Sequence, residues 1–247
     1  MGLGQILAAG MGPLQAFYDS DFCGKLIVIV QIVMSVWSWA VMLRRVMQLR
    51  DYEQRSNQFV DDFAKQNDPL TLHCARYIFS DSPMERVYER TSERLVGLIP
   101  AEQMRALQLN VRAPICLRPA LMELVETSCA HATDEETLRL SEGMTALAVI
   151  TNSAPLFGLF GTVWGVMLAF QAMAASGSAN ITELAPGISS ALLTTVVGLL
   201  VAIPSTIAYN GLQRRIERYT VQLEGFSEEL MGKLSLNYGD QEKGHGC

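Results

Sequence analysis

Three long stretches of this 247-residue sequence contain no Asp, Glu, Lys or Arg: residues 26–43, 143–182 and 184–213. Charged residues make up 18% of the chain, against about 25% in a typical soluble domain. The deficit is local, because residues 44–142 are richly charged. That layout excludes a single water-soluble globule. The 49% hydrophobic content excludes a disordered chain, which needs low hydrophobicity throughout. What is left is a membrane protein with one sizeable polar insert.

Other absences narrow the possibilities further. The five cysteines, at positions 23, 74, 116, 129 and 247, form no C-x-x-C pair and have no histidine at metal-ligand spacing. Reduced thiols are expected, with no disulfide framework and no metal site. No Lys or Arg precedes Lys25, so the basic start of a cleavable secretory signal is missing. Ile6 stands where a myristoylation site needs Ser or Thr. The first 25 residues therefore read as a short segment at the outer face of the membrane, and the polar tail from 239 to 247 is expected to fray. Between 44 and 142 there is no Gly-rich phosphate loop and no nucleophile elbow, and the charge clusters mix signs. No catalytic constellation, cofactor site or nucleic-acid surface is expected there.

What is present is a set of three spans. The first, LIVIVQIVMSVWSWAVML (26–43), gives roughly 27 Å of helix, enough for a bilayer core. Trp37 and Trp39 lie toward its Arg-flanked end, as interfacial aromatics do. The second lies within 143–173 and the third is GISSALLTTVVGLLVAIPSTIAYN (187–210). Between them Gly177, Ser178, Asn180 and Pro186 form a turn signature too polar for lipid. Arg44, Arg45, Arg50 and Arg55 follow the first span, Arg139 precedes the second, and Arg214, Arg215 and Arg218 follow the third, while the opposite ends offer only Lys25. The positive-inside rule then gives an all-α integral membrane protein with its N-terminus outside and its C-terminus in the cytoplasm. Its parts are an outer segment 1–25, transmembrane helices 26–43, 143–173 and 187–210, a cytoplasmic helical insert 44–142, an outer loop 174–186, and a cytoplasmic helix and tail 211–247.

Within the insert, Val46, Leu49, Tyr52, Phe59, Val60 and Phe63 recur at near-helical spacing, so the first span is expected to continue as a helix past the membrane. Further on, Glu85, Arg86, Glu89, Arg90, Glu93 and Arg94 read as acid-to-base pairs along one solvated helix, with a narrow apolar stripe through Val87, Leu95 and Leu98. Pro114 and Pro119 interrupt the chain beyond that helix. Thr133 to Glu136 has a capping-box pattern, which predicts a helix start shortly before the second span.

The spans carry small residues and hydroxyls at helical steps. Gly158, Gly161 and Gly165 in the second span, and Ala191, Thr194 and Gly198 in the third, are spaced for close backbone approach, the means by which helices associate in lipid. Pro155 and Pro204 are expected as kinks satisfied by neighbouring helices. Thr162 sits on the glycine-rich face, and Ser189, Ser190, Thr194 and Thr195 cluster early in the third span. Each threonine could simply bond the carbonyl four residues back; together, facing a bundle interior, they suggest a proton-accessible wall. Intramembrane proton carriers usually need an ionisable group, and no Asp, Glu, Lys, Arg or His lies in any span. Glu183, in the outer loop before Pro186, reads as a surface charge. If protons pass, the titrating acid comes from another chain.

The stretches SAPLFGLFGTVWGVMLAF (153–170) and LAPGISSALLTTVVGLLVAIPSTIAYN (184–210) resemble the paired signature of the MotA/TolQ/ExbB proton-channel family, and SWAVMLRR (38–45) is similar to the end of the first span in its TolQ branch. The resemblance covers all three spans in order, closest to TolQ and ExbB. It implies a multi-pass subunit of the bacterial inner membrane with a periplasmic N-terminus. It further implies a homo-oligomeric ring, a pentamer, around a TolR- or ExbD-like single-span partner whose intramembrane aspartate takes the proton, and a TolA- or TonB-like energy transducer. Thr162 and Thr195 carry over as the residues lining the proton path, with Ser190 and Thr194 beside them. One departure stands out: the family pattern A-P-G-I-A-E-A-L reads Ala-Pro-Gly-Ile-Ser-Ser-Ala-Leu here, so Ser190 replaces the glutamate. The competing reading is a passive membrane scaffold that anchors an envelope partner. A flagellar stator subunit fits less well, since that branch has four spans.

Overall fold

The computed structural model describes residues 16–18, 20–74, 81–99, 117–177 and 181–239, apart from the side chains of Cys74, Thr182 and Glu183. Most of the expected outer segment (1–15), Cys116 and Pro114, loop residues 178–180 and the tail 240–247 with Cys247 lie outside the described residues. The helices, in order, are α1 (Phe22–Ala64), α2 (Thr71–Cys74), α3 (Pro83–Leu98), α4 (Pro119–Ser141), α5 (Met144–Ser176) and α6 (Ile181–Tyr238). Among the described residues there is no β-strand beyond an isolated bridge between Leu117 and Gly239. Three segments, within α1, α4–α5 and α6, are long and apolar enough to cross a membrane. The chain is an all-α membrane protein.

Two compact units divide it, one built from residues 1–45 and 143–213 and the other from 46–142 and 214–247. In the first, the outward faces of α1, α5 and α6 are apolar: Val36, Leu156, Val163, Leu200 and Ile207 are all more than half exposed. Lipid solvates such side chains, so they contribute nothing to helix association. The inward faces are small, with Ile150, Ala154, Val201 and Ala202 packing together against Met34.

Glycines set the ends of α5. Gly143 before it and Gly177 after it have φ of 75° and 66°, left-handed values that glycine adopts without a Cβ clash. The helix start expected at Thr133 is not there. α4 begins at Pro119, whose fixed φ suits the first helical position, and it runs unbroken through Thr133 to Glu136. The Thr133 hydroxyl donates to the Cys129 carbonyl at 2.9 Å instead of capping. The stretch 174–186, expected as a loop, is largely helical: α5 runs to Ser176 and α6 starts at Ile181 with Pro186 inside it. So near a helix start, proline forfeits a single backbone bond.

The second unit is organised around an aromatic core. Phe59, Phe63, Tyr88 and Phe226 are fully or almost fully buried, with edge-to-face ring centroids 5.4–5.8 Å apart. Val87, Leu95, Leu230 and Leu234 close around them. α3 is started by a true capping box: the Glu85 backbone N–H donates to the Ser82 hydroxyl, and the Ser82 N–H donates to the Glu85 carboxylate at 2.9 Å.

The arginines of α3 do not follow the expected ladder along a solvated helix. Arg86 donates to Glu136 of α4 at 2.8 Å and to Asp81 at 2.7 Å, and Arg90 pairs with Glu135 of α4. The reason is burial. Val87, Tyr88, Thr91 and Leu95 have no exposure, so this face of α3 packs inward and its flanking arginines meet the neighbouring helix. Glu136 is itself buried between Arg86 and Arg139. Burial works against the Arg86 charge, yet hydrogen bonds to Glu136 and Asp81 hold its guanidinium above the ordinary value. The Arg90 hydrogen bond keeps the exposed Glu135 carboxyl below its usual range. Its contribution is therefore present at neutral pH and fades as pH falls through the carboxylate range. Arg215 of α6 grips Glu53 of α1 with two hydrogen bonds, 2.7 and 3.2 Å. The Tyr219 hydroxyl bonds that of Ser56, and burial raises the phenol above its usual value.

Glu136→Ala removes the buried carboxylate that serves Arg86 and Arg139, and is expected to cost about 3 kcal/mol. The unfolding temperature of the detergent-solubilised protein should fall clearly. Glu135→Ala, at an exposed pair, should lower it much less.

Candidate functional site

Polar groups within the spans must find partners inside the protein, because lipid offers none. Three hydroxyls do so at one point. The carbonyl oxygen of Gly158 in α5 lies 2.9 Å from Thr195 Oγ1, 3.2 Å from Thr194 Oγ1 and 3.1 Å from Thr162 Oγ1. Thr162 and Thr195 also face each other across the two helices at 2.9 Å, either atom being able to donate. The bland expectation, a threonine bonding only its own helix, covers part of the geometry: Thr162 reaches the Leu159 carbonyl at 2.9 Å and Thr194 that of Ala191 at 2.7 Å. It does not cover Thr195, whose partners both lie on α5.

Each hydroxyl has one proton to donate and can accept two. Thr195 can give its proton to Gly158 while accepting from Thr162. Alternatively it gives the proton to Thr162, which then donates to Gly158 or Leu159. Both arrangements leave every hydroxyl bonded, so the pair can reverse its polarity without moving a heavy atom. Neither threonine ionises. The pair can relay or orient a proton brought by an acid, and cannot hold a charge of its own.

Glycine makes this approach possible. A methyl group on Gly158 would lie 2.9 Å from the Thr195 Cα, one on Gly165 2.7 Å from the Ala191 Cβ, and one on Gly198 2.7 Å from the Ala154 carbonyl oxygen. On Gly161 it would overlap the Thr194 side chain, 2.7 Å from its Cβ. All four expected packing glycines thus stand where helix backbones or side chains press closely. Pro155 and Pro204 lie inside continuous helices, each next to a fully or largely buried small residue, Ala154 and Ser205 respectively. Ser190 is not bonded to the threonine group; its hydroxyl donates to its own helix at Gly187, 2.9 Å away. It lines a separate cavity of about 240 Å³, with Gly165, Ala169, Gly187 and Asp21 among the other walls.

Three polar features of this unit have no counterpart among the sequence-based expectations. Gln31, the one amide of the first span, is completely buried, its Nε2 3.5 Å from the Ala154 carbonyl and close to the space left by Gly158 and Gly198. Its Oε1 has no hydrogen-bond partner among the described residues. Ser38 of α1 and Ser205 of α6 share a buried hydrogen bond of 2.6 Å. The indole N–H of Trp164 donates to Asp21 at 3.1 Å. A lone Gln or Ser in an apolar run was the available signal for the first two; nothing in the spacing marked the third.

Comparison with known proteins adds a lineage to this geometry. The model of the MotA/TolQ/ExbB proton channel family matches residues 100–225, just over half of the chain. The Tol-Pal system protein TolQ of Haemophilus influenzae is 29% identical over 233 residues, covering 91% of this chain and 94% of its own length. The biopolymer transport protein ExbB of Neisseria meningitidis serogroup B is 30% identical over 220 residues, 87% of this chain and 92% of its own. ExbB of Pseudomonas putida is 27% identical over 235 residues, 95% and 67% respectively.

Gly161→Ala forces a methyl group into Thr194 and is expected to destabilise the α5–α6 contact by about 1–3 kcal/mol. Thermal unfolding in detergent and the amount of protein in the membrane should both fall. Gly211→Ala, with nothing within 4 Å of the added methyl, should leave both unchanged or slightly raised.

Proposed function

This chain belongs to the MotA/TolQ/ExbB proton channel family, and from that premise we propose that it is the channel-wall subunit of an inner-membrane complex that couples proton-motive force to work at the cell envelope. The observation that carries the reading is the Thr162–Thr195 hydroxyl pair, bonded across α5 and α6 in spans without a single Asp, Glu, Lys, Arg or His. A wall of that kind solvates a proton in transit but does not bind one. The missing acid comes from a second chain, a TolR- or ExbD-like single-span protein with an intramembrane aspartate, enclosed by a homo-oligomeric ring, a pentamer on the family pattern.

In this reading the partner's carboxyl alternates between charged and neutral forms. Thr195 and Thr162 offer a donor to the carboxylate and an acceptor to the carboxylic acid, simply by reversing the direction of their shared hydrogen bond. Gly158 and Gly161 keep the two helices close enough for that exchange. Ser190 and Thr194 support water next to it. The N-terminus lies in the periplasm and the 44–142 insert in the cytoplasm, as the arginine distribution directs. Motion of the partner against the ring passes to a TolA- or TonB-like transducer.

Thr195→Val keeps the shape and removes the hydroxyl. Membrane abundance and co-purification with the partner should stay at wild-type levels while force-dependent envelope function drops roughly tenfold or more, the equivalent of about 1.4 kcal/mol. Thr195→Ser should retain most of it. A passive scaffold predicts the reverse: function in Thr195→Val equal to wild type, and unaffected by collapse of the proton gradient.

A further inference from the structure

Asp21 accepts more hydrogen bonds than a helix cap requires. Its carboxylate takes the backbone N–H of Cys23 at 3.2 Å and of Gly24 at 3.0 Å, which closes the first turn of α1. A third donor, the Trp164 indole N–H at 3.1 Å, comes from α5. These contacts fix the carboxylate on the wall of the 240 Å³ cavity whose other walls include Gly165, Ala169, Gly187 and Ser190. The cavity has room for several waters; its lining is mostly apolar, with Leu168, Met173 and Leu184 among it, and Asp21 and Ser190 are the two polar side chains that can partner them. Among the described side chains of this unit Asp21 is the only carboxylate; Lys25, one turn further along α1, is the only other charge at that end, and α5 presents Trp164 but no charged residue. The cavity is also the place of Ser190, where the family pattern that this chain resembles has a glutamate.

We propose that Asp21 is the proton-collecting acid at the outer end of this subunit, bringing to the Ser190 cavity from the start of α1 the carboxylate that α6 lacks at position 190. The inference rests on the channel reading given under Proposed function. The step is a plain proton exchange. The Asp21 carboxylate takes a proton from a hydronium ion at the outer surface, leaving water, and returns it to a water in the cavity beside Ser190. Ser190 stands one helical turn before Thr194 on α6, so the cavity lies on the outer side of the threonine group, which does not line it. Trp164 holds the carboxylate in place.

The test uses the full complex with its partner, reconstituted in vesicles, with proton flux measured as a function of outer pH. Asp21→Asn retains a capping side chain and an acceptor for Trp164, yet should reduce flux about tenfold or more and flatten its dependence on outer pH. Asp21→Ser, another capping residue, should do the same, and Asp21→Glu should keep the flux. Adding Ser190→Glu to Asp21→Asn should restore both flux and pH dependence, an outcome that a merely structural role for Asp21 does not produce. Wild-type flux and pH profile in Asp21→Asn would overturn the proposal. So would an equal loss of flux in Trp164→Phe, which removes the same hydrogen bond but keeps the charge. Thr195→Val, run alongside, separates the two levels: if it abolishes flux while Asp21→Asn does not, only the role of Asp21 falls. If Thr195→Val conducts like wild type, the channel reading itself fails.

Discussion

One carbonyl oxygen, that of Gly158, lies within hydrogen-bond reach of three hydroxyls from two helices, and most of the membrane-spanning unit can be understood as the consequence of that convergence. Hydroxyls in lipid must be bonded within the protein. To reach across to α5, Thr195 needs a backbone separation that tolerates no side chain at 158, and Thr194 needs none at 161. The glycine stripe and the threonine group are thus one device. The small residues bring the backbones together, and the hydroxyls exploit the resulting proximity. Dispersion between closely packed backbones and a few neutral hydrogen bonds replace the hydrophobic drive that the bilayer withholds.

The other unit solves the opposite problem with opposite means. Its solvent is water, so large apolar side chains drive its assembly, and Phe59, Phe63, Tyr88 and Phe226 form the centre. Charges are then tolerated at the margins, where Arg86, Arg90, Glu135 and Glu136 tie α3 to α4. Buried ion pairs of this kind contribute little net stability, but removing one partner leaves the other uncompensated. The same two helices, α1 and α6, supply residues to both units, and the composition of each changes with its solvent: Gln31 and Ser38 against Phe59 and Phe63 in α1, Gly198 and Ser205 against Phe226 and Leu230 in α6.

Much of this was legible in the sequence because bilayers impose a coarse code. Charge-free runs mark the spans, and glycines at helical steps the contact face of α5. The motif pointed to Thr162 and Thr195, and they meet. Features that depend on which neighbour occupies a helix face were not legible. Glu and Arg at four-residue spacing on α3 look like an intrahelical ladder, and only the burial of Tyr88 and Leu95 turns the arginines toward α4. Thr133 to Glu136 has the letters of a capping box, but a threonine in mid-helix can return its proton to the preceding turn, as this one does to Cys129. Gln31 stood out only as a lone amide in an apolar run, and Asp21 carried no pattern at all. Their roles arise from residues more than a hundred positions away, Ala154 and Trp164.

The proposed channel wall owns no Asp, Glu, Lys, Arg or His within its spans, and is expected to be inert alone. Proton flux into vesicles containing the purified chain by itself, compared with vesicles that also contain the proposed single-span partner, measures this directly. Flux at the level of protein-free vesicles for the chain alone, rising once the partner is present, is the predicted result. Equal flux with and without the partner would contradict it.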